Sequence, residues 1–463
     1  MLEPKGKLCT NAFSSEGMQT MVAAATNFLD SLDQRVVGII DACTKCGDCV
    51  AVCPTPGAAG FDVGDAAAVA TGVIDILKTG EGPEISAKWA NSCCGSGFCL
   101  SACDYGINPR FMLAMAQRAL RQTEPEQDRR DTGKKAFQSM SRGVRVLSRL
   151  QLSPELLDRL SPSSHPSSTE PPDLVFYTGC NMLRTPHIGL LCLDVLDRLD
   201  TRYEVHGGPA NCCGILQMRP GDSENAGKLG YKTIERFIRS KAPEVVSWCP
   251  TCQIQFSETI VPSKDGENSP FNMTMFAVYL AKRLDELRPM LTTPVNKRVA
   301  LHEYPGAIGV TEAVIELLSA IPGLEFVDLK MLRIGYQMTS LRAAPDAGKK
   351  LLAETFRAAE DANVTTLAGV YHADHRELVA HENAWPFEIV NFMELIGESM
   401  GLHREDLFKR YKLMQDVDAI LAASKDTIEQ NGLDLETARD VVLNGMLGEQ
   451  LLPIDRTLHP SSK

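Results

Sequence analysis

Thirteen of the fifteen cysteines in this 463-residue chain fall into three tight groups. Cys43, Cys46, Cys49 and Cys53 form the first, and Cys93, Cys94, Cys99 and Cys103 the second. Cys180, Cys212, Cys213, Cys249 and Cys252 form the third, and only Cys9 and Cys192 stand apart. No other feature restricts the fold as strongly, because the backbone has to gather each group around one point. Disulfides do not explain the pattern. A chain of this length buries enough core to fold without staples, and dense CxxC spacing without a secretory leader belongs to metal ligands or redox groups in a reducing compartment. No stretch approaches the roughly 18 apolar residues of a membrane helix. The opening MLEPKGKLCTNAFSSEG has no apolar signal core, so a cytoplasmic location is expected. A net charge of −12 argues against nucleic-acid binding.

The first group reads Cys43-Thr-Lys-Cys46-Gly-Asp-Cys49-Val-Ala-Val-Cys53-Pro54. This C-x2-C-x2-C-x3-C-P spacing is that of bacterial ferredoxin loops. Three thiolates on one tight turn grip one cubane, Gly47 lets the backbone pass close to it, and the fourth cysteine ligates the other cluster. A zinc knuckle needs four ligands but not this two-two-three regularity. The second group is less regular: Cys93-Cys94-Gly95-Ser96-Gly97-Phe98-Cys99-Leu-Ser-Ala-Cys103-Asp104. On the same template Ser96 occupies the second ligand position, and Asp104 replaces the usual proline. The crossed pattern predicts one site on Cys43, Cys46, Cys49 and Cys103 and another on Cys53, Cys93, Cys99 and Cys94. Cys94 as the substitute ligand, a Ser96 oxygen ligand, and a cluster one iron short are all open.

Each member of the third group follows an expected strand. LVFYTG leads to Cys180, YEVHGG towards Cys212 and EVVSW to Cys249, with helical stretches PHIGLLCLDVLDRL and NAGKLGYKTIERFIRSK between. Strands alternating with helices predict a parallel sheet, whose ligands collect beyond the carboxyl ends of the strands. Five thiolates exceed the need of one zinc or one ordinary cubane. The chain then repeats itself at an offset of about 123 residues. VALHEYPG mirrors LVFYTGC, Arg333-Ile-Gly335 mirrors Cys212-Cys-Gly214, and His372-Ala-Asp-His375 mirrors Cys249-Pro-Thr-Cys252. The second copy has no cysteine. One reading is a degenerate repeat kept for packing and partner contact. The other is a repurposed site, in which His372 and His375, with His302, Glu303, His381 and Asp374 nearby, bind a metal or move protons.

The third group with its strands resembles the CCG domain found in the B component of heterodisulfide reductase. Together with the ferredoxin-type part, roughly residues 30–410 resemble the fused C–B architecture of membrane-type heterodisulfide reductase. They are also similar to the iron–sulfur subunits of anaerobic glycerol-3-phosphate dehydrogenase and glycolate oxidase. The resemblance implies an α/β chain: a mostly helical, two-cluster ferredoxin-like domain followed by two tandem Rossmann-like parallel-sheet CCG domains, the second degenerate. It implies two cubane 4Fe-4S clusters and, on the five cysteines, a third 4Fe-4S cluster of the noncubane kind that works on disulfides. The expected divisions are 1–130 for the two-cluster domain, 131–173 for an amphipathic helix and Ser/Pro-rich linker, 174–290 for the intact CCG domain, 296–400 for the degenerate repeat and 401–463 for a helical tail with a frayed end.

No GxGxxG follows a strand, and neither a Walker motif nor HExxH is present. Electrons therefore enter or leave through another protein, and a flavoprotein partner in a larger complex is expected. The leading functional expectation is an electron-transfer subunit that relays between a flavoprotein dehydrogenase and quinone or another carrier. The missing second five-cysteine site favours it. The alternative is a catalytic subunit that cleaves a disulfide or protein-bound sulfur substrate at the five-cysteine cluster. Residues 16–35 carry Met18, Met21, Val22, Ala25, Phe28, Leu29 and Leu32 at helical spacing, which predicts a docking helix. Residues 134–151 predict a basic amphipathic helix, either lying on a membrane or partner or packing one face with the other solvated. Cys192 is expected in the core, and Cys9 has no assigned role.

Overall fold

The computed structural model describes residues 15–165, 170–265 and 269–460, with the side chains of 15–26 and 265 left undescribed. Cys9, Met18, Met21, Val22 and Ala25 therefore lie outside the described side chains. The N-terminal part is all helical, with long helices at Ser15–Ala42, Ala66–Thr79 and Pro109–Arg121. Between them sit two matching four-residue helices, Asp48–Ala51 and Phe98–Ser101, each starting just after a glycine in the left-handed region: Gly47 at φ 87° and Gly97 at φ 84°. A side chain at Gly47 is doubly forbidden, because its Cβ would lie 2.6 Å from the backbone of Ala66 and Ala67. The pair of loops is an internal duplication, and it sets Cys49 and Cys99 at equivalent points.

Two four-stranded sheets follow. The first contains β1 (Leu174–Gly179), β2 (Tyr203–Gly207), β3 (Glu244–Ser247) and β4 (Asn272–Met275). The second contains β5 (Arg298–His302), β6 (Glu325–Val327), β7 (Thr366–Gly369) and β8 (Glu388–Asn391). Their orders are β2-β1-β3-β4 and β6-β5-β7-β8, and every pairing is parallel. The sequence repeat is thus a repeat of topology. β1 and β7 are buried along their whole length, as parallel strands covered on both faces must be. The repeats meet through reciprocal helix pairs. Helix Pro186–Arg198 packs on Phe392–Ser399, and helix Phe276–Lys282 packs on Val310–Ser319. Trp248 of the first repeat stacks on Phe392 of the second at 5.7 Å.

Packing bears on two expectations. The basic helix runs from Glu126 to Gln151, so the 130/131 division falls inside it. It packs one face and leaves the other solvated, with Lys134, Lys135 and Arg145 exposed. Its Gly133 abuts Gln217, Val144, Leu147 and Leu150 are buried, and Arg142 pairs with Asp440 of the C-terminal segment at 2.7 Å. The end of the chain is not frayed as far as it is described. His459 is buried and stacks near Phe356, Trp385 and His381. Among the described residues no helix is long and apolar enough to cross a membrane.

The first helix docks the N-terminal part onto the first repeat. Phe28 is fully buried and meets Tyr231 edge-on at 5.6 Å. Helix Ser223–Ser240 admits this ring only because residue 227 is glycine; a Cβ there would lie 2.4 Å from the Phe28 ring. Gly227→Val is expected to destabilise the fold by about 1–3 kcal/mol through overpacking, read as a lower thermal unfolding midpoint, while Gly38→Val, at a position with open space, leaves the midpoint close to wild type.

Candidate functional site

The duplicated loops bring their cysteines together in the crossed manner. Cys43, Cys46, Cys49 and Cys103 line one small cleft with Ile107, Pro109 and Met112. Cys46 is exposed at its rim. Cys53, Cys93, Cys94 and Cys99 form the second group, close enough to perturb one another's ionisation. Burial, reinforced by neighbouring cysteines, pushes the thiols of Cys49, Cys94 and Cys99 up to about 12. Burial likewise raises Cys93 to about 11. Crowded thiols of this kind ionise only beside a compensating cation, and a cluster of ferric and ferrous iron takes thiolates as its ligands. The donor sets fit such clusters. Ser96 is turned the other way, its Oγ accepting a hydrogen bond from the Gly335 amide at 2.8 Å.

The five remaining cysteines converge from three strand ends. Cys180 follows β1 directly, through Gly179 at φ 71°. Cys212 and Cys213 come after β2 and the turn Pro209–Asn211. Cys249 follows β3 and caps helix Pro250–Ile254, which carries Cys252. Gly214 at φ 82° turns the chain away from the pair, and its missing Cβ would lie 2.4 Å from the Ala226 carbonyl oxygen. Four of the five thiols are buried and Cys180 is partly exposed. The Gly214 amide points at Cys212 Sγ from 3.4 Å, and the Tyr177 hydroxyl, which donates to the Asn211 carbonyl at 2.6 Å, lies 3.6 Å from Cys252 Sγ.

These five cysteines line a cavity of about 610 Å³. Its other walls come from helix Glu126–Gln151, the C-terminal segment, Arg184 and Arg219 of the first repeat, and Arg342, His372 and Arg376 of the second. Arg184 is buried and pairs with Glu449 at 3.0 Å. Arg376 has no such partner for its buried Nε and Nη1. Burial, with Arg184 adding to it, holds the Arg376 guanidinium down to about 9. The same burial, with Arg376 and Arg184 nearby, keeps His372 neutral by lowering its basicity. The arginines are the residues that sequence reading missed. The available signal was weak: Arg376 stands four residues after His372, on the same helical face.

The second repeat lacks the site for a physical reason. Tyr371 caps helix His372–Leu378 as Cys249 caps Pro250–Ile254. The structural counterparts of Cys249 and Cys252 are therefore Tyr371 and Asp374, one residue earlier than the motif alignment on His372 and His375. Asp374 is buried and accepts hydrogen bonds from the amides of Met338 at 2.8 Å and Tyr371 at 3.1 Å. Burial raises its carboxyl to about 7. Tyr304, stacked near Tyr371 at 6.3 Å, closes the space, and His302 hydrogen-bonds the Tyr304 hydroxyl at 2.8 Å. His372 and His375 do not form one site: His372 faces the cavity, whereas His375 bonds Asp406 at 2.6 Å. Glu303 pairs with Arg333 and His381 with Gln450, away from both. Cys192 is fully buried within helix Pro186–Arg198.

Comparison with known proteins agrees with this geometry. The cysteine-rich CCG domain matches residues 174–257, which contain all five cysteines of the third group. The chain is 24% identical over 434 residues to the D component of dihydromethanophenazine:CoB–CoM heterodisulfide reductase from Methanosarcina barkeri, covering 82% of this chain and 99% of that protein. The Methanosarcina mazei counterpart is 23% identical over 351 residues, 66% of this chain and 80% of its own length. The B component of the fumarate reductase (CoM/CoB) of Methanothermobacter marburgensis is 25% identical over 233 residues, 48% of this chain and 45% of that one. No solved structure matches the chain. The protein is an iron–sulfur oxidoreductase subunit similar to the D component of heterodisulfide reductase.

Ser96 is engaged by the Gly335 amide, which leaves Cys94 as the candidate fourth thiol beside Cys53, Cys93 and Cys99. Cys94→Ala is expected to remove the electron paramagnetic resonance signal of one ferredoxin-type cluster, whereas Ser96→Ala leaves both in place.

Proposed function

We propose that this chain carries electrons through two cubane 4Fe-4S clusters to a third cluster on the five-cysteine site, where an anionic disulfide is cleaved or formed. Cys43, Cys46, Cys49 and Cys103 hold the outer cubane, and Cys53, Cys93, Cys94 and Cys99 the inner one. Cys180, Cys212, Cys213, Cys249 and Cys252 hold the third cluster, of the noncubane kind, whose iron supplies electrons to a substrate sulfur. The balance is that of any disulfide reduction: two electrons and two protons convert one disulfide into two thiols. A flavoprotein or other redox subunit docks near the exposed Cys46 and the exposed Tyr105 and supplies or collects the electrons.

The observation that carries this reading is the cavity shared by the five cysteines and Arg376, whose buried Nε and Nη1 have no hydrogen-bond partner. Buried donors without acceptors are costly, and a guanidinium recognises carboxylate, sulfonate or phosphate in a bidentate manner. Arg184 and Arg376 would hold the acidic end of a substrate whose sulfur faces Cys180, the most accessible of the five. His372 lines the same wall. Its neutral ring orients the substrate as a hydrogen-bonding group rather than serving as a strong acid. A chain that only relayed electrons towards quinone or another carrier has no use for a polar cavity at its third cluster. The relay reading keeps its own support in the exposed outer cysteine.

Iron analysis of anaerobically purified protein is expected to give about 12 irons per chain, three four-iron clusters. Cys213→Ser should lose the third cluster's signal, keep both ferredoxin-type signals and stop disulfide-dependent oxidation of reduced viologen. Arg376→Gln should raise KM for a disulfide bearing acidic groups by about tenfold, the scale of one charge-assisted contact, with kcat less affected. Electron transfer from viologen to quinone, without turnover of any disulfide, would favour the relay reading instead.

A further inference from the structure

His375 points away from the cavity into a buried cluster that contains none of the cysteines. Four elements contribute to it. His187 lies on helix Pro186–Arg198, which follows the Cys180 strand, and His375 lies on helix His372–Leu378 of the second repeat. Glu394 lies on helix Phe392–Ser399, and Asp406 caps helix Leu407–Met414 of the C-terminal segment. One ligand atom from each of the four falls within 4.8 Å of all the others. His375 Nε2 lies 2.6 Å from Asp406 Oδ2, His187 Nδ1 3.3 Å from Asp406 Oδ1 and His187 Nε2 3.7 Å from Glu394 Oε2.

Asp406 accepts from the Lys409 amide at 2.9 Å and Glu394 from the Asn391 amide at 2.6 Å, but three ring nitrogens of the cluster are left without a hydrogen bond. His187 is 3% exposed and His375 fully buried. Neither ring nitrogen of His187 has a hydrogen-bond partner, and Nδ1 of His375 has none. Buried polar atoms are almost always paired, so an imidazole with both nitrogens orphaned and aimed between two carboxylates needs a different kind of partner. Protonating both rings would balance the carboxylates but would place two like charges with ring centres 5.0 Å apart inside the protein. The neighbouring Lys409 ammonium is engaged with Glu382 and the Ile389 carbonyl.

We propose that His187, His375, Glu394 and Asp406 bind one zinc ion, separate from the iron–sulfur sites. Two neutral imidazoles and two carboxylates match the divalent charge and complete a four-coordinate shell with no open position, the arrangement of a structural site. Zinc bonds of about 2.0–2.1 Å place tetrahedral ligand atoms about 3.3 Å apart. One ligand atom from each residue lies within 4.8 Å of the other three. His187 offers a single nitrogen to the ion, either Nδ1, 3.3 Å from Asp406, or Nε2, 3.7 Å from Glu394, and a small rotation of side chains brings the four to that spacing. Nitrogen and oxygen donors bind zinc more tightly than ferrous iron or manganese, whereas the thiolate groups select iron–sulfur clusters. The ion ties both repeats to the C-terminal segment. It also fixes the helix that presents His372 and Arg376 to the cavity, so the cavity wall depends on it.

The test is zinc analysis and zinc-edge X-ray absorption on the full-length, cluster-containing protein purified from zinc-replete medium. Expected are about one zinc per chain and a first shell of nitrogen and oxygen alone at about 2.0 Å. His187→Gln should lose the zinc with iron content unchanged, and Cys213→Ser should keep it. Absence of zinc, a sulfur shell at about 2.3 Å, or full zinc retention in both His187→Gln and Asp406→Asn overturns the proposal. The absorption spectrum of the wild-type protein decides the matter even if the variants do not fold.

Discussion

Crowding of buried thiols is the constraint on which the rest of the structure depends. A cysteine surrounded by other cysteines and apolar groups resists ionisation, as the elevated thiols of Cys49, Cys94 and Cys99 illustrate. The backbone must hold such groups together before any cation rewards the arrangement. Two devices do this. In the N-terminal part, left-handed glycines at 47 and 97 reverse the chain just before Cys49 and Cys99. In the first repeat, parallel strand order β2-β1-β3-β4 delivers three loops to one end of the sheet. The helices and the hydrophobic core support those two devices, and Gly214 provides the turn that lets Cys212 and Cys213 share one point with Cys180.

The second repeat shows what the same framework becomes when the thiols are gone. Its strand order is preserved, and Gly335 keeps a left-handed φ of 86° where Gly214 has 82°. The space between strand ends is filled by Tyr304, Tyr371 and the buried Asp374, which satisfies two loop amides. A carboxylate bonding backbone amides can hold loops that a metal would otherwise organise, and two aromatic rings occupy the volume. The vacated face then serves as a docking surface. The Gly335 amide donates to Ser96, and Gly95 passes so close to Tyr336 that a Cβ would lie 2.7 Å from its ring.

The cluster loops, the sheet class and the repeat were legible in the sequence because each is written in local spacing. Cys43 to Pro54 is one turn-and-helix unit, and the strands before Cys180 and Cys249 are short buried runs. What was not legible depends on caps and on remote partners. The motif alignment set His372 over Cys249, but the helix cap is one residue earlier, at Tyr371, so the histidines fall on positions of different geometry. Residues 134–151 form the half-solvated helix that their amphipathic stripe indicates, with Lys134 and Lys135 exposed and Val144 and Leu147 buried, but the partners of the buried face were not legible. The Gly133 contact to Gln217 and the Arg142 pair with Asp440 join segments far apart in the chain, and no local pattern announces them. His187 reads as one polar residue in an apolar helix until Asp406 is brought beside it.

Arg110 shows how the iron–sulfur loops and the repeats are held in one register. Its guanidinium donates to the Gly95 carbonyl at 3.0 Å, inside the inner cysteine loop, and to Gly306 of the second repeat at 2.7 Å. It also pairs with Glu258, on the helical segment that continues from Cys252. One side chain thus touches the inner group, the second repeat and the segment behind the five-cysteine site. A hinge here would change the separation between the N-terminal cysteine groups and the five-cysteine site. A buried guanidinium with acceptors on three separate segments opposes such a hinge, because any relative motion leaves a charged donor unpaired in a dry environment. The rigidity that fixes the N-terminal cysteine groups against the five cysteines therefore comes from a residue outside both. It also explains why the second repeat persists without a site of its own: it supplies Gly306, Gly335 and the arginine-bearing wall against which the intact site is built.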